Sequence, residues 1–122
     1  MNRFVKIMFV LVCASFLCNC EKDEIVVMNE TLHISLKNTE EYIHDFKISG
    51  DEEGATIKVQ AKHFSISKII RNESTNWSVV YHYKPETGFI GSDLVEIETN
   101  TGSDGSGNGK TNIVKLFFQI TD

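Results

Sequence analysis

Residues 83–97 read YKPETGFIGSDLVEI, and this stretch decides the fold. Pro85 is expected to end a strand, because proline cannot donate a hydrogen bond to a sheet ladder. Gly88 and Gly91 allow a tight corner, since glycine adopts positive φ without steric strain. After the corner, polar and apolar residues alternate, which predicts a half-buried strand. The stretch therefore predicts two strands joined by a compact corner.

Two further side chains belong to this corner. Phe89 is placed to close the end of the core, and Asp93 to accept backbone N–H bonds from the corner. The stretch resembles the C-terminal half of bacterial cadherin-like and Ig-like repeat domains. Those domains read Tyr-x-Pro, Gly-Phe-x-Gly-x-Asp, an alternating strand, a Gly/Asp-rich turn and a closing strand. The resemblance covers residues 79–122 by motif and 25–76 by strand pattern alone, and it implies a β-sandwich without specifying a function.

The same alternation runs through most of residues 25–122. The side chains predicted to face the core are Leu32, Ile34 and Leu36; Tyr42, His44, Phe46 and Ile48; Ala55, Ile57, Val59 and Ala61; Trp77, Val79, Tyr81 and Tyr83; Val95, Ile97 and Thr99; and Val114, Leu116, Phe118 and Ile120. A further short strand is predicted from Phe64 to Ile70, while Val80 and Phe117 are predicted to face outward. We therefore predict an all-β fold, an antiparallel Ig-like or cadherin-like sandwich of about seven strands. A small barrel is the rival architecture, because it shows the same alternation.

The first 19 residues have the pattern of a signal peptide. A basic head precedes an apolar run over residues 7–17, which is shorter than the roughly 20 residues that span a bilayer. All three cysteines lie in or next to this segment, so the rest of the chain has none to form disulfides. The sequence LCNC at 17–20 resembles a bacterial lipobox, in which an apolar residue stands three positions before a cysteine that becomes diacylated. The resemblance implies lipid attachment at Cys20, with Cys18 as the alternative.

The residues after the cysteine are acidic. The sequence EKDE at 21–24 resembles the start of surface lipoproteins of the Bacteroidota. We therefore divide the chain into a signal peptide (1–19), a lipidated cysteine with an acidic tether (20–30) and a sandwich domain (31–122). The two or three acyl chains of a bacterial lipoprotein anchor stably. The expected location is the outer membrane, with the domain lipid-anchored and exposed at the cell surface.

Charge argues against one class of partner. The whole chain carries a formal net charge of −5, with 12 basic and 17 acidic side chains. Without Arg3 and Lys6 of the signal peptide, 10 basic side chains remain against 17 acidic ones, a net charge of −7. Phosphate binding needs a basic face that releases counterions. We therefore expect no nucleic-acid partner.

Patterns that carry catalysis or metal binding are few. Each of the four histidines falls on a different predicted strand: His33, His44, His63 and His82. None has the spacing of a zinc motif, so no metal and no cofactor is expected. Glu96 and Glu98 share one strand face, where paired acids are usually solvated rather than catalytic. We predict a non-enzymatic protein.

The loop from Asp104 to Asn108 imitates the start of a calcium loop. With Gly109 it places oxygen-bearing side chains at positions one, three and five and glycine at position six. Lys115 stands at position twelve, where an EF-hand needs glutamate, so an EF-hand is excluded. A hairpin connection is the simpler interpretation. A weaker calcium site is the alternative, because cadherin-like relatives often bind calcium between modules.

The combined prediction is a lipid-anchored envelope protein with a binding or structural role. Its expected partners are the membrane, through the lipid, and either an envelope protein or a surface polysaccharide. The alternative is a periplasm-facing accessory subunit or inhibitor of an envelope enzyme.

Overall fold

The structure, a computed structural model, describes residues 28–102 and 109–122. Within these ranges the chain forms seven strands: β1 (Met28–Lys37), β2 (Tyr42–Asp45), β3 (Gly54–Val59), β4 (Phe64–Ile70), β5 (Val80–Pro85), β6 (Gly91–Asn100) and β7 (Thr111–Thr121). A single 3-10 turn, Glu73–Thr75, lies between β4 and β5. The all-β prediction is confirmed. Cys20 and the loop from Asp104 to Asn108 lie outside the described residues.

The seven strands form two sheets. One sheet has four strands in the order β1-β7-β6-β3, and the other has three in the order β2-β5-β4. Apart from the position of β1, this is the order of an immunoglobulin constant-type domain. The predicted Ig-like sandwich of seven strands is confirmed, and two separate sheets exclude the rival barrel for the described part of the chain.

One strand pair departs from the predicted antiparallel arrangement. β1 runs parallel to β7, in register from Met28 opposite Asn112 to Lys37 opposite Thr121. The other four pairs are antiparallel. Parallel neighbours need a long connection, and here the whole domain lies between the two strands. Alternation has the same period in either direction, so it could not predict this orientation.

The core lies between the inner faces of the two sheets. Its largest fully buried side chains are Tyr81, Tyr83, Phe118, Ile97, Leu116, Ile120, Val79, Val95 and Pro85. All except Pro85, the predicted strand end, belong to the predicted inward sets of the last three strands. Tyr83 stacks on Phe118 across the sandwich with ring centroids 4.0 Å apart. The prediction of the core from alternation is confirmed for these strands.

Two predictions at the start of β5 are wrong. Trp77 was predicted to face the core but is 58% exposed, and Val80 was predicted to face outward but is 7% exposed. Asn76 and Trp77 both have positive φ, 51° and 61°, so the chain reverses there and the strand begins only at Val80. Val80 lies on the central strand of its sheet, paired with Asp45 on one side and Ile70 on the other.

The prediction for the end of β3 is wrong because the strand contains a β-bulge. Val59 was predicted to face the core but is 42% exposed. The pairing of β3 with β6 shifts register between Ile57 and Val59. A β-bulge adds one residue to one strand and so reverses the alternation beyond it. Val59 is therefore exposed instead of packed in the core.

The inward-facing set predicted for residues 42–48 does not lie on one continuous strand. β2 ends at Asp45, because Lys47 has a φ of 59° and leaves the extended conformation. The chain returns to the sandwich immediately afterwards, where Ile48 accepts a backbone hydrogen bond from Val79 at 2.9 Å. Ile48 is 9% exposed, as its place in the inward set predicts.

The predicted corner after Pro85 is present. Gly88 has a φ of 79° and Gly91 a φ of 141°, values that favour glycine. A Cβ at Gly91 would lie 3.2 Å from Cζ of Phe89. Phe89 packs against the edge of the core, as expected. The corner leads directly into β6, the strand that carries Asp93.

Candidate functional site

Among the described residues, the Asp93 carboxylate is notable because it accepts hydrogen bonds from four donors. Asp93 is 5% exposed. One oxygen accepts hydrogen bonds from the backbone N–H of Lys62 at 2.8 Å and of Leu94 at 2.9 Å. The other accepts from the N–H of His63 at 2.8 Å and from the Tyr83 hydroxyl at 3.0 Å.

These partners correct the sequence prediction in part. Asp93 accepts backbone N–H bonds, as predicted, but two of them come from the β3–β4 connection and none from the glycine corner. The carboxylate thereby ties the chain that crosses between the sheets to β6. Burial beside this carboxylate raises the pKa of Tyr83, which stays a neutral donor. With four bonds accepted, Asp93 is structural.

A shallow groove crosses the outer face of the four-stranded sheet. Two clefts of about 440 and 190 Å³ meet there, and Ser92 and Phe117 line both. His33 on β1 lies opposite Phe117 on β7, which lies opposite Leu94 on β6. We call this surface the outer-face groove; its other members include Val59, Gln60, Lys62, His63, Ser35 and Gln119.

An aromatic pair lies at the centre of the outer-face groove. The His33 and Phe117 rings stack with centroids 5.3 Å apart and an interplanar angle of 16°. Phe117 is 37% exposed, as its predicted outward position requires. At the far end, His63 stacks on Phe89 at 4.1 Å, which links the groove to the corner. The groove therefore presents aromatic rings beside the aliphatic side chains of Val59 and Leu94 and several polar side chains.

The polar side chains around Phe117 include several neutral hydrogen-bonding groups beside the charged Lys62. The Ser92 hydroxyl donates to Oε1 of Gln119 at 3.1 Å, which holds the two side chains side by side. Gln60 accepts from the Ser67 hydroxyl at 2.5 Å and from the backbone N–H of Ala61 at 2.9 Å. Hydroxyl and amide groups of this kind both donate and accept.

The acidic residues on the same sheet face are paired. Glu96 lies 2.9 Å from the Lys115 ammonium and Glu98 lies 3.5 Å from that of Lys58. Exposed pairs of this kind contribute little to stability. They do neutralise the two glutamates that the sequence places on one strand face. Glu96 and Glu98 are therefore solvated ion-pair partners in the described structure.

A larger cleft of about 640 Å³ opens between the sheets beside the start of β1. Glu30, His44 and Asp45 line it. The Asp45 carboxylate accepts from the Ser78 hydroxyl at 2.6 Å and from the backbone N–H of Lys47 at 2.8 Å, and these bonds hold its pKa well below its usual range. The Asp45 carboxylate is therefore held in a turn, and the volume of this cleft alone does not make it the better candidate site.

The four histidines have separate environments. Burial lowers the pKa of His44, whose Nδ1 lies 3.1 Å from the Tyr42 hydroxyl. His82 lies 2.8 Å from a carboxylate oxygen of Glu41, and the other two histidines stack on phenylalanines. Within residues 28–102 and 109–122, no group of three or more His, Cys, Asp or Glu side chains is placed to hold a metal ion. None of the described helices is long and apolar enough to cross a membrane.

Alternation in the sequence predicted one residue of the outer-face groove, but it did not predict the contacts that bring the groove residues together. Phe117 was recognised as an outward apolar residue, and alternation was the signal. Val59 was assigned to the core, and the approach of His33 to Phe117 depends on the unpredicted parallel pairing. No local pattern brings these three side chains to one surface.

Comparisons with known proteins supply no family. No protein-family description and no curated protein matches the chain. Among solved structures, an endo-fucoidan hydrolase of glycoside hydrolase family 107 aligns with a TM-score of 0.46 at 13% identity, over 75% of this chain and 13% of the hydrolase. A 2,6-sialyltransferase of Photobacterium sp. JT-ISH-224 aligns with a TM-score of 0.41 at 12% identity, over 79% of this chain and 18% of the transferase. Likenesses this weak, over so small a part of those enzymes, carry nothing about activity.

Proposed function

We infer that the protein is a non-enzymatic, lipid-anchored lipoprotein of the bacterial envelope whose Ig-like domain binds a partner through the outer-face groove. The observation that carries this proposal is Phe117, an aromatic side chain 37% exposed at the meeting point of two clefts. Exposed aromatic residues in a concave, polar-rimmed surface are typical of binding sites. The partner belongs to the envelope, because the anchor holds the domain there.

Three acidic side chains near the clefts are held in hydrogen bonds or ion pairs within the fold, and this supports a binding role over catalysis. Asp93 accepts four hydrogen bonds, Asp45 is held in a turn, and Glu96 is paired with a lysine. A general acid or base needs a carboxyl group within reach of a substrate proton. These carboxylates are committed to the fold instead.

The proposed anchor places the domain close to the membrane. β1 begins at Met28, eight positions after Cys20, and an extended chain covers about 3.3–3.6 Å per residue. The tether therefore spans at most about 29 Å. A binding surface at this distance meets ligands in the layer next to the lipid.

Proteolysis of intact cells tests the location. The full-length protein is expected to be digested by added protease while an inner-membrane control protein survives. The Cys20→Ala variant serves as the control, because it is expected to lack acylation and lipoprotein-type processing and so to survive the added protease. Protection of the wild-type protein in intact cells, with digestion after lysis, would instead favour the periplasm-facing accessory subunit or inhibitor.

A pull-down from native membranes tests the binding role. Full-length wild-type protein is compared with Phe117→Ala and with Trp77→Ala, which removes an aromatic residue that is 58% exposed outside the groove. We expect loss of the partner with the first variant alone. Equal capture by all three proteins contradicts a binding role for the outer-face groove.

A further inference from the structure

We propose that the outer-face groove binds a neutral, hydroxyl-rich polysaccharide, with the Phe117 ring as its stacking surface. The inference rests on the proposed function and names the class of its ligand. A sugar ring has C–H groups on its faces and hydroxyls around its rim. The C–H faces pack on the electron-rich faces of aromatic rings, and the hydroxyls exchange hydrogen bonds with amide and hydroxyl side chains.

The residues around Phe117 supply both kinds of contact. The exposed Phe117 ring provides the apolar surface, with His33 stacked against it from β1 and Leu94 opposite it on β6. Ser92 and Gln119 lie next to it as a hydrogen-bonded pair. A sugar lying on the ring would therefore meet a donor and an acceptor at its rim.

The shape of the groove suits a chain molecule. It runs across β1, β7, β6 and the end of β3, so it crosses three inter-strand spacings. At about 4.8 Å each, these spacings add to about 14 Å, which accommodates a short run of sugar rings.

Charge selects a neutral polymer over an acidic one. The exposed glutamates of this face are paired with Lys115 and Lys58, and Asp93 is buried. Lys62 adds one exposed ammonium, whose three N–H groups can donate hydrogen bonds to sugar hydroxyls. Without the proposed signal peptide the chain carries a net charge of −7, which repels a polyanion.

A protein partner fits the same surface less well. A stable protein interface buries about 800 Å² on each side around several large apolar anchors. Within the described face, the exposed large apolar residues are Phe117, 37% exposed, and Val59, 42% exposed. This apolar area suits one stacked ring better than the centre of a protein interface.

The test uses the full chain in a zwitterionic detergent without sugar headgroups. Binding to dextran, mannan, xylan, β-glucan and methyl-esterified polygalacturonate is compared with binding to polygalacturonate itself, which differs from its ester by charge. We expect at least one neutral polymer to bind, and Phe117→Ala to weaken that binding about tenfold, the size of one lost aromatic contact. Phe117→Trp is expected to retain binding. Trp77→Ala and Lys68→Gln, on the other side of the sandwich, are the matched controls and should bind normally.

Several results would overturn the inference. It fails if no neutral polymer binds, if only polygalacturonate binds, or if Phe117→Ala and Trp77→Ala lose affinity equally. If Phe117→Ala unfolds, Gln119→Ala replaces it, with a loss of several-fold expected and an unchanged affinity contradicting the inference. Capture of an envelope protein that depends on Phe117, without polysaccharide binding, overturns the ligand class but leaves the proposed binding role standing. Absence of both kinds of binding overturns the proposed function as well.

Discussion

The hydroxyl of Tyr83 lies 3.0 Å from Oδ2 of Asp93, and both side chains are buried in the sandwich. Through this contact the central strand of one sheet is bonded to a strand of the other. The same hydroxyl shares its single hydrogen with the carbonyl oxygen of His63, which lies 3.1 Å away, so three segments of the chain meet at one point. This junction also fixes the end of the outer-face groove, because His63 lines it.

Asp93→Ala is expected to lower the free energy of unfolding by about 1–3 kcal/mol, because it leaves buried backbone N–H groups and the Tyr83 hydroxyl without their acceptor. Urea denaturation of the full chain in detergent measures the change. Glu86→Ala, at an exposed turn position, is the control and should stay within about ±0.5 kcal/mol. Equal shifts for the two variants would show that the junction does not hold the sheets together.

Gly91→Val tests the corner. With a φ of 141° and a Cβ position 3.2 Å from the Phe89 ring, a β-branched side chain is strained in two ways. We expect a loss of about 1–3 kcal/mol of unfolding free energy. Glu86→Ala again provides the reference, and a Gly91→Val midpoint that matches it contradicts the corner geometry.

The bulge in β3 predicts opposite outcomes for two valines. Val59→Thr should change the unfolding free energy by no more than about 0.5 kcal/mol, since Val59 is 42% exposed. Val95→Thr should cost about 1–3 kcal/mol, because Val95 is fully buried and its replacement brings a hydroxyl into the core. If Val59→Thr proves as costly as Val95→Thr, Val59 faces the core as alternation alone suggests.

These valines illustrate what the sequence could predict. Alternation placed Val95 correctly, because nothing interrupts the period along β6. It placed Val59 wrongly, because one extra residue in β3 reverses the alternation without any local signal. Asp93 was recognised as an acceptor, yet two of its backbone partners, Lys62 and His63, lie 31 and 30 residues earlier in the chain, beyond the reach of a local motif.

The candidate site was less predictable than the core, because its residues come together through contacts between distant parts of the chain. Phe117 was placed outward from its own strand, since only β7 decides that orientation. The contact of Phe117 with His33 arises from a pairing of the first strand with the last. Direction and register of such a pairing depend on the whole fold, which alternation does not encode.

His44 predicts a pH dependence of stability. Burial lowers its pKa below the ordinary value of 6.5, while nearby Glu30 and Asp45 oppose part of this shift. Near and below that pH the unfolded chain binds more protons at this site than the folded chain. The free energy of unfolding should therefore fall as the pH drops through about 6.5.

Variants at two positions isolate this effect. His44→Gln should flatten the pH dependence of the unfolding free energy between about pH 5 and 7. Ser35→Ala, at an exposed position of β1, removes no titratable group and should leave the pH dependence as in the wild type. Urea denaturation across this range measures both, and an unchanged slope in His44→Gln excludes His44 as the titrating group.

Photo-crosslinking in living cells tests directly whether the protein binds its partner through the outer-face groove. A photoreactive phenylalanine derivative replaces Phe117 in one variant and Trp77 in another, so that the two full-length proteins differ only in which exposed aromatic position carries the probe. We expect a light-dependent adduct of higher mass from position 117 and none from position 77. Adducts of equal yield from both positions, or from position 77 alone, would contradict it.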